Sequence, residues 1–300
     1  MDRPTAPRRV LLAVNEHAHR GKGALQHATA ALRRAGHDVS VVPCKDGKGT
    51  LADAIAARGG NIDAAVIGGG DGTLVSALPG IRKTNVPLLI LPLGTINELA
   101  RTLEIPFDLD AACDLLQNGQ LKPVDVASVN GHAYFNEASI GLSTQVAERQ
   151  TEGVKARLGM LAVPVTTLRS LRAMRPYRLE VETEQGSRTF RTVQLTVANS
   201  YRFGAVVENA AARLDDGLLE LYSVDVRTWR DAVSVVVAVA RKRFAQAGCV
   251  TDLRGSRFVV RSSRRHSVSA DGEPVTYTPA EFTVDKRALN VFVPQGGGHA

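Results

Sequence analysis

Ile67–Leu74 reads IGGGDGTL, three glycines, an acid and a fourth glycine at the end of an apolar segment. Ala64–Ile67, which leads into it, is short and continuously apolar, and this predicts a strand buried on both faces. Glycines lack a Cβ, so the backbone of such a loop can take positive φ and approach a phosphate closely. Its successive N–H groups, with the N-terminus of the helix that follows, form a positive pocket for anionic oxygens. Asp71 supplies a carboxylate for Mg2+ or a substrate hydroxyl, and Thr73 supplies a hydroxyl donor. The alternative is a tight strand–helix turn that binds nothing. The spacing is neither the GxxxxGK[ST] phosphate loop nor the dinucleotide GxGxxG, which removes two common nucleotide-binding folds.

On the N-terminal side, Arg9–Val14 (RVLLAV) reads as another buried strand ending at Asn15. Lys22–Ala35 has helical spacing with Gly36 at the C-cap position, Val39–Val42 is a strand and Leu51–Arg58 a helix. On the C-terminal side, Val86–Pro92 is a strand followed by a helical stretch from about Ile96 to Leu103. This alternation predicts a parallel α/β sheet. Leu91–Arg101 (LPLGTINELAR) repeats the loop logic: Gly94 and Thr95 follow a strand, and Thr95-x-x-Glu98 has the spacing of a capping box. Ligands of open α/β sheets bind at the carboxyl ends of the strands, where Asn15 and both loops are expected to meet.

The rhythm changes after about Val124. From Arg178 onward, period-two segments dominate (RLEVETE, SRTFRTVQLTVAN, GLLELYSVD, SRFVVRS, EFTVD, ALNVFV), separated by Gln185-Gly186, Asp216-Gly217 and Asp271-Gly272. Antiparallel strands with one solvated face produce this pattern. A boundary is therefore expected near residues 124–130, with helical interruptions at Leu158–Ala173 and Trp229–Phe244. Ala232–Ala240 is too short to span a bilayer and reads as a core helix. In Ser269–Pro274 (SADGEP), Asp271 and Glu273 are alternate residues that would share one side of an extended segment, as Mg2+ ligand and general base facing an ATP γ-phosphate. The same letters also fit a type I′ hairpin turn. Arg213–Leu218 (RLDDGL) is either a turn or a place where carbonyls and Asp216 hold a cation.

The 300 residues are 44% hydrophobic and 22% charged, which excludes a disordered, collagenous or coiled-coil chain and favours two domains. Aromatics at 5% give no stacking platform for single-stranded nucleic acid. A net charge of +7 fits nucleic acid, an anionic membrane or phosphorylated small molecules. No helix-turn-helix, zinc finger or basic heptad is present, so no nucleic-acid partner is expected. Cys44, Cys113 and Cys249 are far apart and odd in number, which fits a reducing cytoplasmic setting, and the first residues lack the apolar stretch of a signal peptide. In Leu168–Arg178 (LRSLRAMRPYR), Arg169, Arg172 and Arg175 recur every third residue beside leucines, a basic stripe suited to anionic headgroups or to plain solvent.

GGDGT (Gly69–Thr73), GTINELAR (Gly94–Arg101), YFNEASIGLS (Tyr134–Ser143), VANSYRFG (Val197–Gly204), LDDGLLEL (Leu214–Leu221) and ADGEP (Ala270–Pro274) occur in this order. Together they resemble the diacylglycerol-kinase catalytic-domain family, with its bacterial YegS/DgkB-like lipid kinases and its sphingosine-kinase relatives, from about Arg9 to Val293. The resemblance implies an α/β ATP-binding domain (1–126), an antiparallel β-sandwich lipid-substrate domain (127–288), a last segment (289–300) returning to the first domain, and ATP with Mg2+ in an interdomain cleft. It implies nucleotide contacts from Asn15, Gly69, Gly70, Asp71, Gly72, Thr73, Gly94, Thr95 and Asn97. It places the proton acceptor on Glu273, beside Asp271 and with Asp71 as a further acid, and a structural metal on the carbonyls of Arg213 and Leu218 and the carboxylate of Asp216. A lipid substrate at a membrane surface, peripheral contact with the inner face of the membrane and a homodimer also follow from it.

The family's usual Asn-Pro is Asn15-Glu16 here, the polar pair after GGDGT is replaced by Leu74-Val75-Ser76, a frequent threonine is missing near Pro43–Cys44, and its GTxND reads GTINE with Glu98 last. These departures remove polar groups from the expected nucleotide contacts. The rival readings are a soluble-metabolite kinase of the NAD-kinase type, which shares GGDGT, and a nucleotide or lipid sensor that has lost turnover.

Overall fold

The computed structural model describes residues 8–44, 50–141, 176–199, 202–203, 207–208, 213–241 and 243–296. They form two compact units: one from the chain up to Asp125 together with the residues from Arg287 on, the other from Val126–Lys286. The helical reading of Leu158–Ala173 and most of the basic stripe, at 168–175, lie outside the described residues.

In the first unit, β1 (Arg9–Val14), β2 (Asp38–Val41), β3 (Ala64–Gly69) and β4 (Leu88–Pro92) make a parallel sheet in the order β2-β1-β3-β4. All six residues of β3 and all five of β4 are buried, as expected of strands covered on both faces. The covering helices are α1 (Ala24–Arg34), α2 (Thr50–Ala56), α3 (Asp71–Thr84), α4 (Glu98–Thr102) and α5 (Leu109–Asn118). Helix α1 buries Ala24, Ala28 and Leu32 along one stripe and stops where Gly36 takes φ 87°. Helix α5 is capped by Asp108, whose side chain accepts the Ala111 N–H at 2.9 Å.

The second unit is an antiparallel sandwich. One layer runs β14-β13-β10-β7-β16-β17, built from Val250–Gly255, Leu219–Val224, Gln194–Ala198, Glu137–Gly141, Ser267–Ala270 and Glu273–Tyr277. The other contains β8 (Tyr177–Thr183), β9 (Gly186–Thr192), β15 (Arg257–Arg261) and the N-terminal part of β18 (Ala280–Val293), with the C-terminal part of β5 (Gln120–Val129) and β6 (His132–Tyr134). Inward residues of both layers form one core, including Ile140, Leu195, Val197 and Leu221 on one side and Leu179, Val181, Phe258 and Phe282 on the other. A two-stranded ribbon, β11 (Arg202–Phe203) with β12 (Val207–Glu208), helix α6 (Trp229–Ala240) and a 3-10 turn at Phe244–Gln246 complete the described elements.

Two segments differ from the pattern reading. SRTFRTVQLTVAN is two strands, because the chain changes layers at Thr192–Val193: β9 pairs with β8, and β10 with β7 and β13. The buried Thr192 hydroxyl secures this corner, 2.7 Å from the Gln194 carbonyl and 3.1 Å from that of Val224. EFTVD and ALNVFV are one strand, β18, whose far end lies in the first unit, where Val291 pairs in parallel with Leu88 of β4. Among the described residues no helix is long and apolar enough to cross a membrane.

Candidate active site

Strands β1, β3 and β4 end at the same edge of the first unit, and their loops are laced together. The Asn15 N–H donates to the Gly68 carbonyl at 2.8 Å, and the Asn15 amide reaches Thr73 Oγ1 at 3.4 Å. Leu93 and Gly94 both donate to the Gly69 carbonyl, at 3.0 and 3.2 Å. Asn15, Gly69–Thr73, Gly94, Thr95 and Asn97 therefore belong to one cluster of loops, with Gly72 and Thr95 exposed on it. The glycines are required by contact and not by conformation, since none of Gly68, Gly69, Gly70, Gly72 and Gly94 takes a positive φ. A Cβ on Gly94 would lie 2.5 Å from the Gly70 Cα and 2.8 Å from Asn97 Oδ1, and one on Gly69 would lie 2.5 Å from Thr73 Cβ. Two backbones thus touch where side chains would hold them apart, beside the N-terminus of α3, whose N-cap Gly70 provides no side-chain acceptor. An uncapped helix start bordered by bare backbone is a place for anionic oxygens.

Asn97 fixes the second loop. Buried and left-handed at φ 51°, it accepts the Gly94 N–H and donates to the Gly94 carbonyl, both at 2.8 Å. The expected Thr95–Glu98 capping box does not form, since α4 begins at Glu98 with Asn97 as N-cap. Its cap comes from another helix: the Asp71 carboxylate accepts the N–H groups of Glu98 and Leu99 at 3.1 and 3.2 Å. Asp71 faces the start of α4 and ties the GGDGT loop to the GTIN loop. The Ser76 hydroxyl is turned to the Thr73 carbonyl of its own helix, at 2.7 Å.

In the second unit, Asp271 and Gly272 both have positive φ, 45° and 86°, the geometry of a type I′ turn joining β16 to β17. The expectation that Asp271 and Glu273 share one side of an extended segment fails for this reason: Asp271 is in the turn, outside the pleat. Its carboxylate folds back to accept the N–H groups of Phe135, Asn136 and Glu137 at 2.8, 3.0 and 3.1 Å. Glu273 is the first residue of β17 and is exposed. Beside this knot lie the fully buried Tyr134 hydroxyl and Asn136 Oδ1, neither with a hydrogen-bond partner among the described residues. Burial, reinforced by the charges of Asp271 and Glu137, raises the Tyr134 phenol well above its usual range and keeps it protonated. Both groups fall within YFNEASIGLS, yet nothing in that motif marked them as buried polar atoms without a partner among the described residues.

The RLDDGL turn carries a cation of its own. Asp216 Oδ1 accepts the Leu218 N–H at 2.9 Å, and the Arg254 guanidinium sits on Oδ2. The same guanidinium meets the buried Glu220 at 3.0 Å, while Arg213 turns to Asp215 at 3.1 Å. Burial raises the Glu220 carboxyl, and Arg254 opposes that shift. Lys286 packs across Gly217, where a Cβ would lie 2.9 Å from its Cδ. Both Asp216 oxygens are engaged, so Arg213, Asp216 and Leu218 do not fit a bound metal ion here. Arg254, 38 residues away, could not be linked to this turn by any local motif.

Comparison with known proteins gives two family matches: the diacylglycerol kinase catalytic domain over residues 9–129, and the YegS C-terminal NAD kinase beta sandwich-like domain over residues 136–293. A diacylglycerol kinase of Staphylococcus aureus is 30% identical over 281 residues, covering 91% of this chain and 88% of that protein. An uncharacterized protein of Synechocystis is 27% identical over 235 residues, 76% of this chain but only 54% of its own length. A crystal structure from Bacillus anthracis superposes with a TM-score of 0.82 at 22% identity, covering 98% of each chain. Another from the same organism, of a diacylglycerol kinase, gives 0.72 at 17% identity. At these identities the two structures establish the fold alone.

Proposed function

Because this chain belongs to the diacylglycerol kinase catalytic-domain family, we propose that it transfers the γ-phosphate of ATP to the hydroxyl of a lipid. The observation that carries the reading is the paired glycine backbone of Gly70 and Gly94 beside the uncapped start of α3. In phosphoryl transfer, positioning and charge neutralisation carry most of the rate enhancement. Backbone N–H groups of Gly70–Gly72 and Thr95 hold the triphosphate, Gly69 and Gly94 let the two loops approach, Asn15, Thr73 and Asn97 fix the loops, and Asp71 locks one loop to the other. Mg2+ brought in with the ATP would supply charge neutralisation for the transferred group. Glu273, exposed at the start of β17, accepts the proton of the alcohol as the new P–O bond forms and the bond from the γ-phosphorus to the bridging oxygen breaks, releasing ADP, and Asp271 shapes the turn that presents it.

The test is incubation with Mg-ATP and a panel of diacylglycerol, phosphatidylglycerol, a sphingoid base and NAD, with mass spectrometry of the products. A phosphorylated lipid is expected. Phosphorylated NAD with unmodified lipids would make the chain a soluble-metabolite kinase. Glu273→Gln should lower turnover by about 10²–10⁴-fold, the usual worth of a general base, without changing the melting temperature. Full activity in that variant would remove Glu273 from the mechanism.

A further inference from the structure

Helix α6 is apolar on more than one face. Ala232 and Val235 are buried, and Val235 packs with Val193, Val224, Tyr222 and Phe244 against the β10–β13 side of the second unit. On another face Trp229, Val233 and Val237 recur every fourth residue and remain 63%, 38% and 39% exposed. The run read from sequence as a core helix is therefore only partly core. At 3.6 residues per turn these three form one stripe, and Arg230 and Arg241 fall along one edge of it. Arg243 follows just beyond the helix and is also exposed.

The charges around the stripe are unequal. Asp231 is spent on the helix start, where it accepts the N–H groups of Arg227 and Thr228 at 3.0 and 2.7 Å. Asp225 meets Arg227 at 2.7 Å and Arg191 at 3.9 Å. Arg230, Arg241 and Arg243 have no ion-pair partner among the described residues; the Arg230 guanidinium lies 5.7 Å from the Trp229 ring centroid. Exposed tryptophan and valines bordered by unpaired arginines match an anionic lipid surface, with the indole at headgroup depth, the valines against acyl chains and the guanidinium groups on phosphates.

We propose that the Trp229–Val233–Val237 face of α6, with Arg230, Arg241 and Arg243, docks the chain on anionic bilayers and so delivers it to its lipid substrate. The delivery step rests on the lipid-kinase reading; the docking step does not. Trp229 is the only tryptophan of the chain, so its fluorescence reports this face alone. Vesicles of mixed phosphatidylglycerol and phosphatidylcholine should shift its emission to the blue, and lipids brominated in the acyl chains should quench it, whereas pure phosphatidylcholine should do far less. Val233→Asp with Val237→Asp should weaken co-sedimentation with the anionic vesicles by at least about tenfold. The same variant should still phosphorylate a short-chain diacylglycerol dispersed in solution at the wild-type rate. Unchanged emission with anionic vesicles, or undiminished sedimentation of the variant, overturns the proposal. An emission shift that depends on protein concentration without vesicles overturns it in favour of a second copy as occupant. Vesicle binding without turnover of either substrate form leaves docking supported and refutes the kinase reading instead.

Discussion

Asp71 lies in the most distinctive motif of the chain, and its geometry separates two roles that an acid in that position can play. Its carboxylate receives the first N–H groups of α4 at 3.1 and 3.2 Å, so removing it uncaps a helix of only five residues. Loss of an N-cap acceptor costs about 0.5–2 kcal/mol, and so short a helix has almost no stability of its own to offset it. Asp71→Ala should therefore lose about 1–2 kcal/mol, which in a domain of this size lowers the melting temperature by roughly 3–8 °C. Asp71→Asn keeps one acceptor but turns an NH2 group toward the other N–H, so it should lose a comparable or slightly smaller amount. Both should raise the KM for ATP, because α4 anchors the Gly94–Asn97 bracket, and change kcat much less. Calorimetric or urea unfolding and steady-state kinetics on the same preparations check this. Asp71→Asn with wild-type stability and a kcat reduced by about 10² or more would refute the capping argument and make the carboxylate a partner of metal or substrate.

Gly94→Ala should abolish nucleotide binding by calorimetric titration, because the added Cβ meets the Gly70 Cα at 2.5 Å and one of the two loops must move. Overpacking of this kind costs about 1–3 kcal/mol; Gly248→Ala, with nothing within 4 Å of its Cβ, is the neutral control. Arg254→Met should lose about 1–2 kcal/mol: less than a fully buried pair would, because Arg254 is half exposed, but Glu220 and Asp216 are left without their cation. Wild-type melting should ignore EDTA, whereas the variant, its carboxylates freed, should gain stability with added Mg2+. Mg2+-dependent melting of the wild type alone would show that the RLDDGL turn holds an ion after all.

What could be read from the chain and what could not divides along the range of the interactions. The strands of both units were legible because burial imprints a local period, a continuous apolar run at Ala64–Ile67 and alternation at Arg178–Glu184. The glycines of Gly69–Gly72 and Gly94 were legible because a missing Cβ has a local meaning: the backbone can approach something. The acids were not, because a carboxylate finds its partner in space. Asp71 serves N–H groups 27 and 28 residues on, and Asp271 serves backbone 134 to 136 residues earlier in the chain. The capping box at Thr95–Glu98 failed for the same reason, since it assumes that a helix is capped by its neighbours when an acid from α3 already held the position. Composition misplaced α6 because a run of valines states that a helix avoids water without stating which face is covered. Of the acids in the motifs, Asp71 and Asp271 are bound to backbone N–H groups and Asp216 to a backbone N–H and an arginine. Glu273, placed as proton acceptor by its motif, is exposed at the start of its strand and has no such tie among the described residues, a difference in engagement that supports the proposed role.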